Sequence, residues 1–144
     1  MKDLDVARIN TARDHIAREG IQDWDGVIAT FHAHPRYEMH GSGAVFDGEA
    51  EVRSYFEITR TPFPDQRAEI IAIAIDGDTV LVEFWVLGTH LGPLKLATRV
   101  VEPTGKTFRV RGALAFEFAP QSDKILCERA YFNQDAVLRA LEIG

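Results

Sequence analysis

The sequence predicts an α+β fold: a curved, mixed or antiparallel β-sheet wrapped by N-terminal helices, a conical apolar pocket between them, and a short C-terminal helix. Three observations predict it. Apolar residues recur at three- and four-residue spacing through the first third of the chain, and at alternate positions through most of the remainder. Turn signals at Asp76-Gly77-Asp78, Pro103-Thr104-Gly105 and Pro120 to Asp123 divide that remainder into successive hairpins. Helices, then hairpins, then one last helix is the order of an α+β domain. No repeat or linker interrupts residues 1–144, which read as a single domain.

The elements follow in order. Val6, Ile9, Ala12 and Ile16 form one helical stripe, and Gly20 is placed to stop it. Trp24, Val27, Ile28 and Phe31 repeat the pattern until Pro35 ends it. Asp47 is the expected N-cap of a third helix carrying Val52, Tyr55 and Phe56, with Glu49 and Glu51 complementing the helix dipole and Pro62 and Pro64 closing the unit. Strands are expected over 69–75 and 80–90, then up to Val101, then over 108–118 and 125–132. Asn133 caps a final helix in which Val137, Leu138 and Leu141 are apolar.

Composition excludes some functions. The chain is 46% hydrophobic and 26% charged, with a net charge of −6 and its basic residues scattered. That is neither a nucleic-acid footprint nor a surface for anionic membranes, so no nucleic acid and no membrane is expected as a partner. The one cysteine, Cys127, allows no internal disulfide, and the opening Met-Lys-Asp-Leu-Asp carries no apolar run of signal-peptide type. The cytoplasm is therefore the expected location.

The most informative stretch is Ile125 to Phe132. Alternate strand residues share a face, so Leu126, Glu128, Ala130 and Phe132 point one way. In the preceding strand Val110, Gly112, Leu114, Phe116 and Phe118 form the core-facing set. If the two patterns pair in register, Glu128 is a carboxyl group looking into an apolar space. Burial disfavours its charged form and raises its pKa, which suits proton transfer beside a carbonyl. The competing reading is a rim glutamate paired with Arg99 or Arg129. Gly112, Leu114, Phe116, Ala130 and Phe132 are the expected pocket lining, with Trp24 and Trp85 as core and wall.

Several segments together carry a resemblance. Phe63-Pro64-Asp65 precedes the isoleucine-rich strand, Gly88-Thr89-His90 is followed by Gly92, Pro103-Thr104-Gly105-Lys106 opens the next strand, Arg109-Val110-Arg111-Gly112 lies within it, and Lys124-Ile125 opens the last. In this order they resemble the SnoaL-like polyketide cyclases, within the nuclear transport factor two-like superfamily. The resemblance covers nearly the whole chain. It implies cofactor-independent aldol cyclisation, isomerisation or dehydration of an apolar carbonyl compound, or else a non-catalytic ligand-binding or dimerisation module of the same fold. It also implies a homodimer, an apolar small-molecule ligand, and a carboxylate acid/base at the position of Glu128. A polar partner is implied near Arg111, although alternation turns Arg111 away from the pocket. Limonene-epoxide-hydrolase-like relatives carry an arginine and two carboxylates at positions that align with Gly112, Leu114 and Ala130, which cannot supply them.

His90 and Tyr55 are the remaining catalytic candidates. His90 could orient a substrate oxygen or could bond backbone at a strand end. Tyr55 could donate a hydrogen bond to an enolate or could simply pack in the core. His15 falls either at the pocket mouth or in solvent. Gly26, His32, His34 and Glu38 match the first metal motif of cupins, but helical spacing up to Phe31 argues against a shared face for the histidines, so no metal is expected. Gly41-Ser42-Gly43 lacks the setting of a phosphate loop, and Cys127, opposite Glu128, reads as a structural thiol.

Overall fold

The computed structural model describes all 144 residues. Its elements are α1 (Asp3–Gly20), α2 (Trp24–Ala29), β1 (Arg36–Met39), β2 (Ala44–Asp47), α3 (Glu49–Arg60), β3 (Arg67–Asp76), β4 (Thr79–Thr89), β5 (Leu94–Lys95), β6 (Val100–Val101), β7 (Thr107–Phe118), β8 (Ile125–Tyr131) and α4 (Gln134–Ala140). Six strands form one curved mixed sheet in the order β2-β1-β8-β7-β4-β3, and β5 and β6 pair as a separate ribbon. β1 lies parallel to β8, and the other pairs in the large sheet are antiparallel.

Alternation decides which face is inside. Val80, Val82, Phe84 and Val86 of β4 are buried with Phe108, Val110, Leu114, Phe116 and Phe118 of β7. Phe116 pairs with Glu128 and Leu114 with Ala130, the register that the two patterns favour. Gly112 is needed for close packing: a Cβ there would lie 2.9 Å from Phe84 Cζ and 3.2 Å from Phe132 Cδ2. Asn133 caps α4, its side chain accepting from the Asp135 amide at 3.0 Å.

Three expectations are corrected. Val6 is 45% exposed, because the buried stripe of α1 is Arg8, Ala12, His15 and Ile16. Arg8 holds that position by donating to the Ser122 carbonyl at 2.8 Å, the Ala119 carbonyl at 3.0 Å and Asp78 Oδ1 at 2.8 Å. One guanidinium thus ties α1 to the β3–β4 and β7–β8 turns. The cap of α3 is Gly48, at φ +91, a left-handed conformation that glycine adopts freely, while Asp47 ends β2. The β1–β2 hairpin was not expected at all, since Pro35 and the glycine turn frame only four alternating residues on each side.

The convex face of the sheet has a different character. Ala72, Ala74, Ala113 and Ala115 lie there with Leu81 (50% exposed) and Tyr131 (49% exposed). No helix is long and apolar enough to cross a membrane.

Candidate acid/base site

Four elements bring polar side chains to one buried point. α1 contributes His15 and, one turn later, Glu19; the end of α2 contributes Thr30; β1 contributes Tyr37; β8 contributes Glu128. His15 and Tyr37 are fully buried and Glu128 is 2% exposed. The parallel register sets Tyr37 directly beside Glu128. Phe116 and Phe31 meet the imidazole edge-on at 5.0 and 5.6 Å, closing the apolar walls around it.

The hydrogen bonds fix where protons sit. The Thr30 hydroxyl donates to the Val27 carbonyl at 2.6 Å, so at 2.8 Å from His15 Nδ1 it can only accept. Nδ1 therefore carries a proton. On the other side, Nε2 stands 3.0 Å from Glu19 Oε1 and 3.0 Å from Glu128 Oε1. The Tyr37 hydroxyl donates to Glu19 Oε1 at 2.6 Å.

Electrostatics follow from this geometry. Burial alone would lower the His15 pKa, but the charge of Glu19 and hydrogen bonds to both carboxylates outweigh it and raise it to about 10. Burial likewise opposes the charge on Glu19, yet the His15 charge and hydrogen bond, with Arg60 nearby, hold that carboxyl below its ordinary value. Glu128 goes the other way. Burial and the like charge of Glu19 push it up to about 7, against the hydrogen bond from His15. The His15 and Glu19 charges cancel, and Glu128 is left to exchange a proton near neutrality. Glu19 alone in this trio keeps appreciable exposure, its side chain 20% accessible, and gives the cluster a polar edge toward solvent.

Donor atoms of His15, Glu19 and Glu128 all lie within 4.8 Å of one another, so these are the residues whose geometry could hold a metal ion. A protonated Nε2 bonded to both carboxylates accounts for the convergence without one. The cupin-like residues do not converge: His34 bonds Asp47, while Glu38 bonds Arg36 and His40.

The remaining candidates are placed as follows. Tyr55 is half-buried, with its ring 4.9 Å from Tyr37 and its hydroxyl pKa raised by burial and by the nearby Glu128 and Glu19 charges. It belongs to the Glu128 neighbourhood. His90 does not: Val80 stands across β7 from the Glu128 position, and His90 follows ten residues further on, roughly 30 Å along an extended strand. Its Nδ1 meets Thr104 at 3.0 Å and its Nε2 is buried without a partner. Trp85 is not a pocket wall. The inward set Val80–Val86 turns it to the convex face, where Arg109 and Arg111 stack over it at 3.9 and 4.4 Å. Trp24 stacks on Phe56 at 4.4 Å. Leu114, Phe116, Ala130 and Phe132 lie on the concave face, where Phe31, Tyr37 and Phe56 are also buried. A cavity of about 420 Å³ lies between α2 and α3, bordered by Trp24, Phe56 and Arg60. Glu128 does not form the surface pairs considered for it: Arg129 stands 3.6 Å from Glu117, and Arg99 bonds the terminal Gly144. Cys127 is buried, which pushes its thiol up to about 12.

Glu19 and Tyr37 escaped the sequence reading, and His15 was read there as a residue of the pocket mouth or of solvent. Their available signals were a histidine and glutamate one turn apart on the α1 stripe, and the alternation Arg-Tyr-Glu-Met after Pro35.

Comparison with known proteins was made for both sequence and fold. The family model for the SnoaL-like domain matches residues 12–127. No curated protein matches the chain. A SnoaL-like polyketide cyclase candidate from a Jannaschia species superposes with a TM-score of 0.85 at 20% identity, covering 100% of this chain and 97% of that one. A polyketide cyclase candidate from Xanthomonas campestris gives 0.82 at 15% identity, covering 96% and 99%. IdmH, a polyketide cyclase candidate from Streptomyces antibioticus, gives 0.78 at 17% identity, covering 94% and 99%.

The His15 charge makes stability depend on pH with a definite sign. Its folded pKa of about 10 lies above the ordinary 6.5, so its contribution is whole below about pH 6.5 and is lost as the pH climbs toward 10. The raised Glu128 contributes in the same sense at lower pH, from 4.5 to about 7, and the lowered Glu19 in the opposite sense below 4.5. Denaturant unfolding should therefore show about 2 kcal/mol less stability at pH 9 than at pH 7, given 1.36 kcal/mol per pH unit for one proton. His15→Gln should flatten that slope; an unchanged slope in the variant would show that the charge resides elsewhere.

Proposed function

The chain belongs to the SnoaL-like domain family, and from that premise we propose that it is a cofactor-independent acid/base enzyme acting on an apolar, enolisable carbonyl compound. The observation that carries this reading is Glu128, a carboxyl group 2% exposed, bonded to His15 and raised to about 7. At neutral pH both of its protonation states are populated, the condition under which one group can take a proton and return it.

In the forward step the Glu128 carboxylate takes the proton α to the carbonyl. The C–H bonding pair becomes the new C=C bond, and the carbonyl π pair moves to oxygen as the enolate. Tyr55, kept protonated by its surroundings, is the hydrogen-bond donor we assign to that oxygen. The enolate carbon then either attacks a second carbonyl, closing a ring, or is reprotonated elsewhere, giving an isomer. Glu128 returns the proton in either case. His15 and Glu19 are positioning residues: they orient Glu128 and set its pKa.

A second reading has its own support. Glu128 is 2% exposed among the buried Phe31, Tyr37 and Phe116, as it would be in a non-catalytic binding or dimerisation member of the fold. The two readings separate without knowledge of the natural substrate. Deuterium uptake at the α-carbon of a panel of 1,3-diketones and aryl ketones in D2O, followed by proton NMR, should be accelerated by the protein. Glu128→Gln should lose about 10²–10⁴-fold of that acceleration. No acceleration by the wild-type chain across the panel, or equal acceleration by the variant, would leave the binding reading.

Self-association through the convex face belongs to the same proposal. Its alanines permit close approach, and Leu81 and Tyr131 expose apolar area that a second copy would cover. The single unpaired Cys127 suits the reducing cytoplasm. Light scattering should give twice the 16.1 kDa chain mass, falling to one chain in Leu81→Lys; a monomeric wild-type protein would refute the interface.

A further inference from the structure

The cavity between α2 and α3 has a chemistry that the acid/base reading does not use. One wall is flat and aromatic: Trp24 and Phe56 stack at 4.4 Å with their planes 12° apart. Beside them the Arg60 guanidinium lies 5.2 Å from the Trp24 ring centre. The cavity also meets Arg53 and Glu57, and its volume of about 420 Å³ is in the range of small-molecule sites.

The two arginines differ. Arg53 is neutralised by Asp25 at 2.7 Å and Glu49 at 3.2 Å. Arg60 donates to two uncharged acceptors, the Thr59 hydroxyl at 3.0 Å and the Glu19 carbonyl at 3.3 Å. Its Nε is buried with no partner at all. Placement in the last turn of α3 explains a cation there through the helix dipole. It does not explain a desolvated donor left unmatched, which costs free energy unless something else accepts from it.

We propose that Arg60 is the anion-recognition residue of this protein, and that the cavity receives the planar oxyanion end of its ligand, a carboxylate or ionised 1,3-dicarbonyl on a flat apolar body. A planar oxyanion matches the guanidinium fork, and the flat body lies along the Trp24–Phe56 wall. The bond to the Glu19 carbonyl ties this cation to the helix that carries His15. Arg60 also acts electrostatically on both Glu19 and Glu128. The proposal deepens the acid/base reading by naming the substrate class, and in that sense rests on it, but the binding it claims is measurable by itself.

The test compares two probes of one shape, 2-naphthoate and 2-naphthylmethanol, by titration calorimetry on the full chain. The carboxylate is expected to bind about tenfold or more tightly than the alcohol, the advantage of a charge-assisted contact. Arg60→Gln should abolish that advantage and leave alcohol binding within about twofold, while Arg53→Gln should preserve it. If Arg60→Gln fails to fold, Arg60→Lys serves, since it keeps the charge, lacks the Nε–H donor and should still weaken naphthoate. Equal binding of the two probes, no binding of naphthoate, or an advantage that survives the Arg60 substitutions would overturn the proposal. A protein that binds naphthoate through Arg60 yet exchanges no α-protons would refute the catalytic reading and keep this one.

Discussion

A buried cation shared between two carboxylates is the interaction on which the rest of this structure turns. His15 Nε2 lies 3.0 Å from both Glu19 and Glu128, and its Nδ1 is committed to Thr30. Taking three ionisable groups out of water is expensive, and the expense is offset only because every donor in the cluster meets an acceptor. The arrangement is asymmetric. Glu19 also receives the Tyr37 hydroxyl and keeps some contact with solvent, so it holds the negative charge. Glu128, sealed on the concave face, is the member for which charge is costly. One imidazolium thus separates the pKa values of two carboxyl groups, as acid/base sites require.

The fold serves this cluster. β1 is inserted parallel to β8, which puts Tyr37 at the level of Glu128, and α1 crosses the concave face so that His15 and Glu19 come down on it. Arg8 fixes the other end of α1 to the turns that join β3 to β4 and β7 to β8. Both polar anchors of α1 lie on its buried stripe. They set its rotation and axial position with a directionality that apolar packing of Ala12 and Ile16 alone lacks.

Much of this was legible in the sequence. Period-two alternation in β7 and β8 gave the inward faces, their register, and the burial of Glu128, because strand geometry leaves little choice once the apolar set is known. The capping of α4 by Asn133 was equally local. Other features were not local. His15 could be read equally as a pocket-mouth or a solvated residue, and Glu19 carried no signal, because their partners lie on β1 and β8, far along the chain. Tyr37 was hidden in a four-residue strand too short to show its period. The displacement of Trp85 to the convex face was readable from its neighbours Val82, Phe84 and Val86, whereas the ladder of Arg109 and Arg111 that holds it there depends on cross-strand register. His90 carried a suggestive local motif, but position along β4, which local sequence does not convey, separates it from Glu128.

The central claim is that Glu128 is a carboxyl group held near neutrality by burial and by the charge of Glu19. Carbon-detected NMR titration of the side-chain carboxyl, assigned with Glu128→Gln, measures this directly. A pKa of about 7 is expected, moving down when Glu19→Gln removes the like charge. A value at or below the ordinary 4.5, or one indifferent to Glu19, would contradict it and leave Glu128 as a structural partner of His15.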